Sequence, residues 1–159
     1  MATIEQAIAI AAAVHEGQTD KNGAPYILHP LRVMMRMNCE SSRIAAILHD
    51  AIEDSRDHPP EKRWTLDRLR EHGFSEKVIE AVDGVTDRKG QGETYEEFVQ
   101  RAGANLISRA VKIADLEDNM NLQRLGQTRR KDFDRLEKYH RAWLTLTALN
   151  NLSTGEVIR

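Results

Sequence analysis

The hydrophobic residues along this chain recur every three to four positions, which is the spacing typical of α-helices. The first such run follows a capping box formed by Thr3 and Gln6, and it ends near Gly17. Glycine, proline and asparagine then interrupt the pattern in the segment GQTDKNGAPY, which predicts a loop. We expect the remaining helices at about residues 30–37, 41–54, 65–73, 75–84, 95–101, 105–121 and 129–149. Ser41 or Ser42 is the predicted cap of the helix over 41–54, Thr65 is that of the helix over 65–73, and Gly84 is the predicted stop of the helix over 75–84.

Composition supports a helical fold in one domain. The chain has 159 residues, of which only four are proline and 5% are aromatic. A chain of this length usually folds as a single domain, and no repeat or low-complexity linker divides the pattern. We therefore predict one all-α domain, a helical bundle that spans residues 1–159.

The charge balance restricts the possible partners. The 23 Lys+Arg and 25 Asp+Glu residues give a net charge of −2, which argues against a broad basic surface for nucleic-acid polymers. No apolar run approaches the roughly 20 residues of a membrane span, and Glu5 lies where an export signal carries basic residues. The single Cys39 indicates a reducing compartment. These features predict a cytoplasmic protein without a membrane partner, and they leave its oligomeric state open.

The segment LHDAIED, residues 48–54, has the most informative polar pattern. His49 and Glu53 are four residues apart, as are Asp50 and Asp54, so a helix places the two pairs side by side. Because an isolated buried charge is costly, four titratable groups at the edge of a core must be paired, solvated or bound to a metal. A solvated acidic helix face is an equally good interpretation of these residues alone.

Two residues elsewhere in the chain favour a metal site over a solvated helix face. His29 precedes Pro30, which favours extended backbone at the mouth of the next helix, although such a histidine taken alone is more often a cap or core residue. Asp115 follows an apolar run, where an unpaired carboxylate is unfavourable. Together with His49 and Asp50, they form a nitrogen and oxygen set that suits Mn²⁺, Fe²⁺ or Zn²⁺. The lone cysteine excludes a structural zinc site built from thiolates.

These residues and their spacing resemble a known family. The pattern H..HD..D in an all-helical chain resembles the HD-domain metal-dependent phosphohydrolases. The motifs HEGQTDKNGAPYILHP, LHDAIED, VDGVT and KIADLEDNM are similar to the hydrolase domain of the RelA/SpoT alarmone family, especially its small stand-alone hydrolases. The similarity runs from about His15 to Asn121. It implies an HD-type bundle that uses Mn²⁺ to remove the 3′-pyrophosphate of guanosine tetra- or pentaphosphate, a nucleotide of the stringent response.

The resemblance also implies roles for single residues in the reaction. Glu53 and Asp54 match the pair that positions and deprotonates the attacking water, while the metal activates that water and polarises a phosphoryl oxygen. The residues that match the metal ligands of the family are His29, His49, Asp50 and Asp115.

For the substrate, the resemblance covers three residues and departs at a fourth. Lys21 matches a substrate-facing lysine, Asn119 matches an asparagine that contacts the nucleotide sugar, and Tyr139 loosely matches a tyrosine on the pocket wall. Asp20 stands where the family has an arginine that packs against the guanine base. A carboxylate neither stacks on a purine as a guanidinium does nor attracts a highly phosphorylated nucleotide.

Two other functions therefore remain open on the sequence. One is an HD hydrolase of a different nucleotide or phosphate ester, which Asp20 favours. The other is a metal-stabilised nucleotide-binding module without turnover, which is disfavoured because binding does not need the additional pair Glu53 and Asp54. Arg88 and Lys89, in the glycine-rich loop TDRKGQGET, are interpreted as solvated or as able to reach a substrate phosphate.

Overall fold

Each predicted helical segment is helical in the computed structural model, which describes residues 1–88, 90–124 and 129–153. No strand occurs among these residues, where Thr19 and Pro25 form only an isolated β-bridge. The predicted all-α fold is confirmed. Lys89 lies outside the described residues. The helices are α1 (Ile4–Val14), α2 (Leu28–Met35), α3 (Glu40–Leu48), α4 (Ala51–Asp54), α5 (Leu66–Glu71), α6 (Glu76–Val85), α7 (Tyr95–Ala104), α8 (Leu106–Asn119) and α9 (Arg130–Ser153), with 3₁₀ turns at Pro60–Lys62 and Leu122–Arg124.

Local side-chain chemistry fixes where several helices begin. Thr3 and Gln6 form the predicted capping box of α1. The Thr65 side chain accepts a hydrogen bond from the backbone N–H of Arg68 at the start of α5, as its sequence position predicts. Asn105 caps α8 by accepting hydrogen bonds from two backbone N–H groups. The start of α8, the helix that includes Asp115, is therefore set by its own sequence.

The start of α2 differs from the prediction. The helix begins at Leu28, so His29 lies inside its first turn and not in extended backbone before it. Pro30 is tolerated there because the amides of a first helical turn have no acceptor within the helix. His29 consequently projects from a helix, and its ring is buried.

The helix predicted over residues 41–54 is interrupted. Cys39, and not Ser41 or Ser42, is the residue that precedes α3, and the helix ends just before His49. The ring Nδ1 of His49 donates a hydrogen bond to the Ala46 carbonyl oxygen over 2.7 Å, and the same carbonyl accepts the backbone N–H of His49. This contact fixes the His49 ring at the point where α3 gives way to α4.

The close approach of α6 and α8 explains a glycine that the sequence suggested was a helix stop. Gly84 lies inside α6 and not after it. A Cβ atom on Gly84 would overlap the side chain of Ser108, whose own Cβ would lie 2.7 Å away. The Ser108 hydroxyl donates a hydrogen bond of 2.9 Å to the Ala81 carbonyl. Glycine is needed here for contact between two helices.

The core brings α2, α3 and α8 together. α3 packs against α1, α2, α6 and α8, and its side chains Ile47 and Leu48 are fully buried. α8 contributes to two apolar clusters, through Val111 to the main one and through Leu116 to a smaller one shared with α7 and α9. Among the described residues, no helix combines the length and apolar character needed to cross a membrane.

Substitution of Gly84 tests the α6–α8 contact. Gly84→Ala is expected to lower the free energy of unfolding by about 1–3 kcal/mol, because the added methyl group forces the two helices apart. Urea or thermal denaturation measures the change. The double variant Gly84→Ala with Ser108→Gly makes room for the methyl group and should recover part of the loss. A Gly84→Ala protein more stable than the parent, as at an exposed helical site, would show that the helices are not in close contact.

Candidate active site

Three helical regions direct polar side chains into one buried cluster. His29 lies on α2, His49 follows α3, and Asp115 lies on α8, with 4%, 2% and 6% of their surfaces exposed. Nε2 of His29 is 3.1 Å from Oδ1 of Asp115, and Nε2 of His49 is 3.7 Å from the same oxygen. One nitrogen or oxygen atom of each residue lies within 4.8 Å of the others, which is a spacing compatible with a single metal ion.

Asp50 adds a second carboxylate to this cluster. Its Oδ2 lies 3.0 Å from Nε2 of His49 and 3.7 Å from Nε2 of His29. The Tyr26 hydroxyl donates a hydrogen bond of 2.6 Å to the same oxygen. The fold thus brings together the four residues predicted as metal ligands, which are His29, His49, Asp50 and Asp115, and their role as ligands stays a prediction.

The two imidazoles are oriented in a way that fits a divalent cation. Their Nδ1 atoms are engaged, His29 with an oxygen of Asp118 and His49 with the Ala46 carbonyl, each over 2.7 Å. Their buried Nε2 atoms make no hydrogen bond of acceptable geometry within the described part of the chain, although carboxylate oxygens lie nearby. Histidine ligands of metals commonly have one ring nitrogen held by a hydrogen bond and the other facing the ion.

Opposite charges stabilise the cluster. Burial opposes protonation of His29 and His49, but the surrounding carboxylates outweigh it and raise the pKa of both imidazoles. Burial would raise the pKa of Asp115, yet the Lys112 ammonium, 2.9 Å from its Oδ2, and the imidazoles hold that pKa well below its usual range. The pKa of Asp50 is likewise lowered, against the effect of burial, mainly by His49. Both carboxylates are therefore ionised and able to bind a cation.

The two carboxylates predicted to act on water lie next to this cluster, on α4. Glu53 accepts a hydrogen bond from the backbone N–H of Asp87, and burial raises the pKa of Glu53 to about 7. Asp54 accepts a hydrogen bond of 2.8 Å from Nε2 of Gln18 and lies 3.5 Å from Nδ1 of His15. Burial raises the pKa of Asp54 as well. A carboxylate with a pKa near 7 is suited to accept a proton at neutral pH.

Asn119 lines two cavities. The first, of about 260 Å³, lies over the loop of residues 18–22 and also reaches His29. The second, of about 470 Å³, reaches Asp115 and Glu53. Because His29 borders one cavity and Asp115 borders the other, the cluster of imidazoles and carboxylates lies between them.

The residues predicted to contact substrate are divided between these cavities. Lys21 lines the first and Tyr139 the second. The Asn119 amide donates a hydrogen bond of 2.6 Å to Oδ1 of Asp115, so this side chain also holds a carboxylate of the cluster. A substrate role for Lys21, Asn119 and Tyr139 remains a prediction.

Asp20 has a local structural role that its sequence position alone did not reveal. Its Oδ1 accepts hydrogen bonds from the backbone N–H groups of Asn22, over 2.8 Å, and Ala24, over 3.1 Å. Aspartate commonly stabilises a turn in this way. Asp20 also lines the first cavity next to Lys21, so its charge is presented to any ligand there.

Several residues in and around the site were not assigned from the sequence. Gln18 and Tyr26 hydrogen-bond to the acidic groups, and their only signal was membership of the matched motif around the first loop. Asp118 likewise lies in a matched motif, KIADLEDNM, but Lys138 had no signal, because a single lysine on a helix is usually solvated. Their contribution depends on helices that are distant in sequence.

Known proteins are similar to this chain over most of its length. It is 35% identical over 131 residues to guanosine-3′,5′-bis(diphosphate) 3′-pyrophosphohydrolase of Vibrio cholerae, and 32% identical over 131 residues to the bifunctional (p)ppGpp synthase/hydrolase SpoT of Escherichia coli K12. Each match covers 74% of this chain. The chain resembles the hydrolase domain of the RelA/SpoT family.

The RelA/SpoT relatives are much longer proteins. The matched part of this chain spans 17% of the length of the Vibrio and Escherichia proteins. A probable GTP pyrophosphokinase of Mycobacterium leprae is 30% identical over 135 residues, which is 78% of this chain and 16% of that protein. No family model matches the chain. The names of the RelA/SpoT relatives describe whole proteins, whereas the similarity covers one segment of each.

Removal of Asp50 tests the metal centre. Asp50→Ala is expected to lose the binding of one divalent metal equivalent, because it deletes a charged ligand from a buried set. Metal analysis after dialysis and the rise in melting temperature with Mn²⁺ concentration report the loss. Asp67→Ala on α5, where the side chain is 86% exposed, is the matched control and should bind metal as the parent does. One tightly bound equivalent in Asp50→Ala would remove Asp50 from the ligand set.

Proposed function

We propose that residues 1–159 form an HD-type hydrolase domain that uses one divalent metal to remove the 3′-pyrophosphate of guanosine tetra- or pentaphosphate. The observation that carries this function is the buried group of His29, His49 and Asp115, with the partly exposed Asp50 at its edge, next to Glu53 and Asp54. The printed activities of the relatives supply the substrate, and the HD cluster favours hydrolysis over synthesis. Mn²⁺ is the metal that the family resemblance implies, and the cytoplasm, where the stringent response takes place, is the compartment.

The carboxylate pair Glu53 and Asp54, which is additional to the predicted metal ligands, argues for turnover. A cation held by His29, His49, Asp50 and Asp115 would stabilise phosphoryl charge as a Lewis acid and make water more acidic. Glu53 accepts the proton as the water oxygen bonds to phosphorus and the bond from that phosphorus to the ribose 3′ oxygen breaks. Glu53 then gives this proton to the ribose 3′ oxygen that has left the phosphorus.

The hydrogen bonds of the pair keep its geometry fixed during this step. The backbone N–H of Asp87 holds the Glu53 carboxylate, and Gln18 holds that of Asp54. A general base that is already oriented loses little entropy when the water approaches. A module that only binds a nucleotide would not need a second, separately supported pair of carboxylates.

The cavities divide the proposed substrate between a phosphate side and a nucleoside side. Arg88, Lys112 and Lys138 line the cavity that borders Asp115, and they provide positive charge for phosphates. Nζ of Lys138 lies 4.4 Å from the ring centroid of Tyr95 and 5.3 Å from that of Tyr139, which holds the ammonium at this cavity. We place the base and sugar in the other cavity, next to Lys21.

A second candidate, an HD hydrolase of a different nucleotide, is favoured by Asp20. Its carboxylate lines the nucleoside cavity, where a guanidinium would offer a flat cationic surface to guanine. The chemistry at the metal and at Glu53 would be the same. The two candidates differ in the base that the first cavity selects.

The direct test of the proposed function is pyrophosphate release from guanosine tetraphosphate by protein loaded with Mn²⁺. Glu53→Gln is expected to lower turnover by roughly 100-fold or more while metal and nucleotide affinities are retained, because the amide keeps its shape but accepts no proton. Glu80→Gln, an exposed acid on α6, is the matched control. Turnover at the parent level in Glu53→Gln would exclude the general-base role, and a parent protein that binds nucleotide without turnover would indicate a binding module.

Substitution of Asp20 tests which base is selected. Asp20→Arg should lower KM for guanosine tetraphosphate with little change in kcat, because stacking on the base stabilises ground and transition states equally. Asp20→Asn is the control that keeps an oxygen to accept the loop hydrogen bonds but removes the charge. Efficient hydrolysis by the parent protein, selective for guanosine over adenosine tetraphosphate, would show that an arginine at this position is dispensable.

A further inference from the structure

We infer that Asp118 is a positioning residue for the metal centre, since it orients His29 and is itself held by Arg32. The inference rests on the proposed metal site, because the role of Asp118 is exerted through a predicted ligand. It concerns the affinity for the metal, which can be measured without any substrate.

The contacts of Asp118 form a chain of charged hydrogen bonds that runs from the buried His29 to the partly exposed Arg32. Its Oδ2 lies 2.7 Å from Nδ1 of His29, and both side chains are 4% exposed. The Arg32 guanidinium donates two hydrogen bonds to the same carboxylate, from Nε to Oδ1 over 2.7 Å and from Nη2 to Oδ2 over 3.0 Å. Such a two-point contact fixes the plane of the carboxylate as well as its position.

The sequence positions of these residues explain why the arrangement is rigid. His29 and Arg32 are three residues apart on α2, so they lie on one face of the helix and reach the same carboxylate on α8. Asp115 and Asp118 are likewise three apart on α8. One face of α8 therefore provides both Asp115, a predicted metal ligand, and Asp118, which holds the predicted ligand His29.

An ionised carboxylate only accepts hydrogen bonds, so Nδ1 of His29 carries the proton in this contact. Nε2 is then the nitrogen with the lone pair, and it faces Asp115 and Asp50. The carboxylate also makes the imidazole a stronger electron donor. His49 obtains its orientation from the Ala46 backbone carbonyl, so His29 is the imidazole whose support a side-chain substitution can remove.

A neighbouring ion pair separates this role from simple helix docking. Arg36 donates a hydrogen bond of 2.6 Å from Nη1 to Oε2 of Glu117, and this pair joins the same two helices, α2 and α8. Glu117 also accepts a hydrogen bond of 2.9 Å from Nε1 of Trp143. Loss of the Glu117 charge therefore weakens the contact of α2 with α8 without removing a hydrogen bond to a predicted ligand.

The experiment compares Asp118→Asn with Glu117→Gln. Affinity for Mn²⁺ is measured by calorimetric titration of the full chain, and the melting temperature of the metal-free protein is measured in parallel. Asp118→Asn is expected to weaken Mn²⁺ binding by about 10- to 100-fold. Glu117→Gln should change it by less than about threefold, since a partly exposed ion pair contributes little. Both variants are expected to lower the melting temperature.

Arg32 provides a second site for substitution. Its side chain is 39% exposed, and its removal leaves the contact between Asp118 and His29 in place. Arg32→Gln should weaken Mn²⁺ binding by several-fold, and Arg32→Lys should weaken it less because it retains one charged contact. This pair keeps the inference testable if Asp118→Asn does not fold.

The outcomes distinguish the inference from the function on which it rests. Equal Mn²⁺ affinity in the parent protein, Asp118→Asn and Arg32→Gln would overturn the positioning role while leaving the metal centre intact. An equal loss of affinity in Glu117→Gln would also overturn it, by attributing the effect to helix docking. A parent protein that binds no divalent metal would overturn the metal centre and the proposed function together with the inference.

Discussion

The structure depends on one constraint, which is the cost of burying ionisable groups among apolar helices. Two imidazoles and the Asp115 carboxylate are buried where α2, α3 and α8 pack together, with the partly exposed Asp50 beside them, and isolated charges there would be strongly unfavourable. The fold meets this cost by giving each group a partner of its own, and these partners also fix the orientation of the group. The partners are Asp118 for His29, the Ala46 carbonyl for His49, Tyr26 for Asp50, and Lys112 for Asp115.

The same constraint explains why α8 combines apolar and polar positions. Its apolar positions, such as Val111 and Leu116, contact two separate hydrophobic clusters and hold the helix in the middle of the bundle. Of its polar positions, Asp115 lies next to His29 and His49, Asp118 lies next to His29, and Asn119 donates a hydrogen bond to Asp115. Close packing at Gly84 and the hydrogen bond from Ser108 to the Ala81 carbonyl join this helix to α6. The apolar face of α8 holds the helix in the core, and its charged face provides partners for the buried ionisable groups.

The two cavities are not distinguished by the sign of their charge. Lys112 and Lys138 line one of them together with carboxylates such as Glu53 and Asp115, and Lys21 lines the other together with Asp20. Lys112 is paired with Asp115, whereas Lys138 lies over two tyrosine rings. The proposed position of the phosphates therefore depends on individual cations and not on a difference in net charge between the cavities.

The sequence by itself determined that the chain is helical and roughly where its helices lie, the caps at Thr3 and Thr65, and the grouping of His49 with Glu53 in LHDAIED. These features depend on interactions between residues at most four positions apart. It also suggested His29, from its place before Pro30, and Asp115, from its place after an apolar run, but it put His29 in extended backbone. The local effect of Pro30 on its neighbour is overridden when the pair lies in a first helical turn.

Only the tertiary structure decided which side chains meet. The contacts of Asp118 with His29 and Arg32, and of Tyr26 with Asp50, join residues far apart in the chain. Nothing local distinguishes Asp118 from a solvated acid, just as nothing local distinguishes Gly84 inside a helix contact from a glycine that ends a helix. Helix propensity and capping act within a few residues, whereas these contacts depend on how helices pack, and packing is set by the whole chain at once.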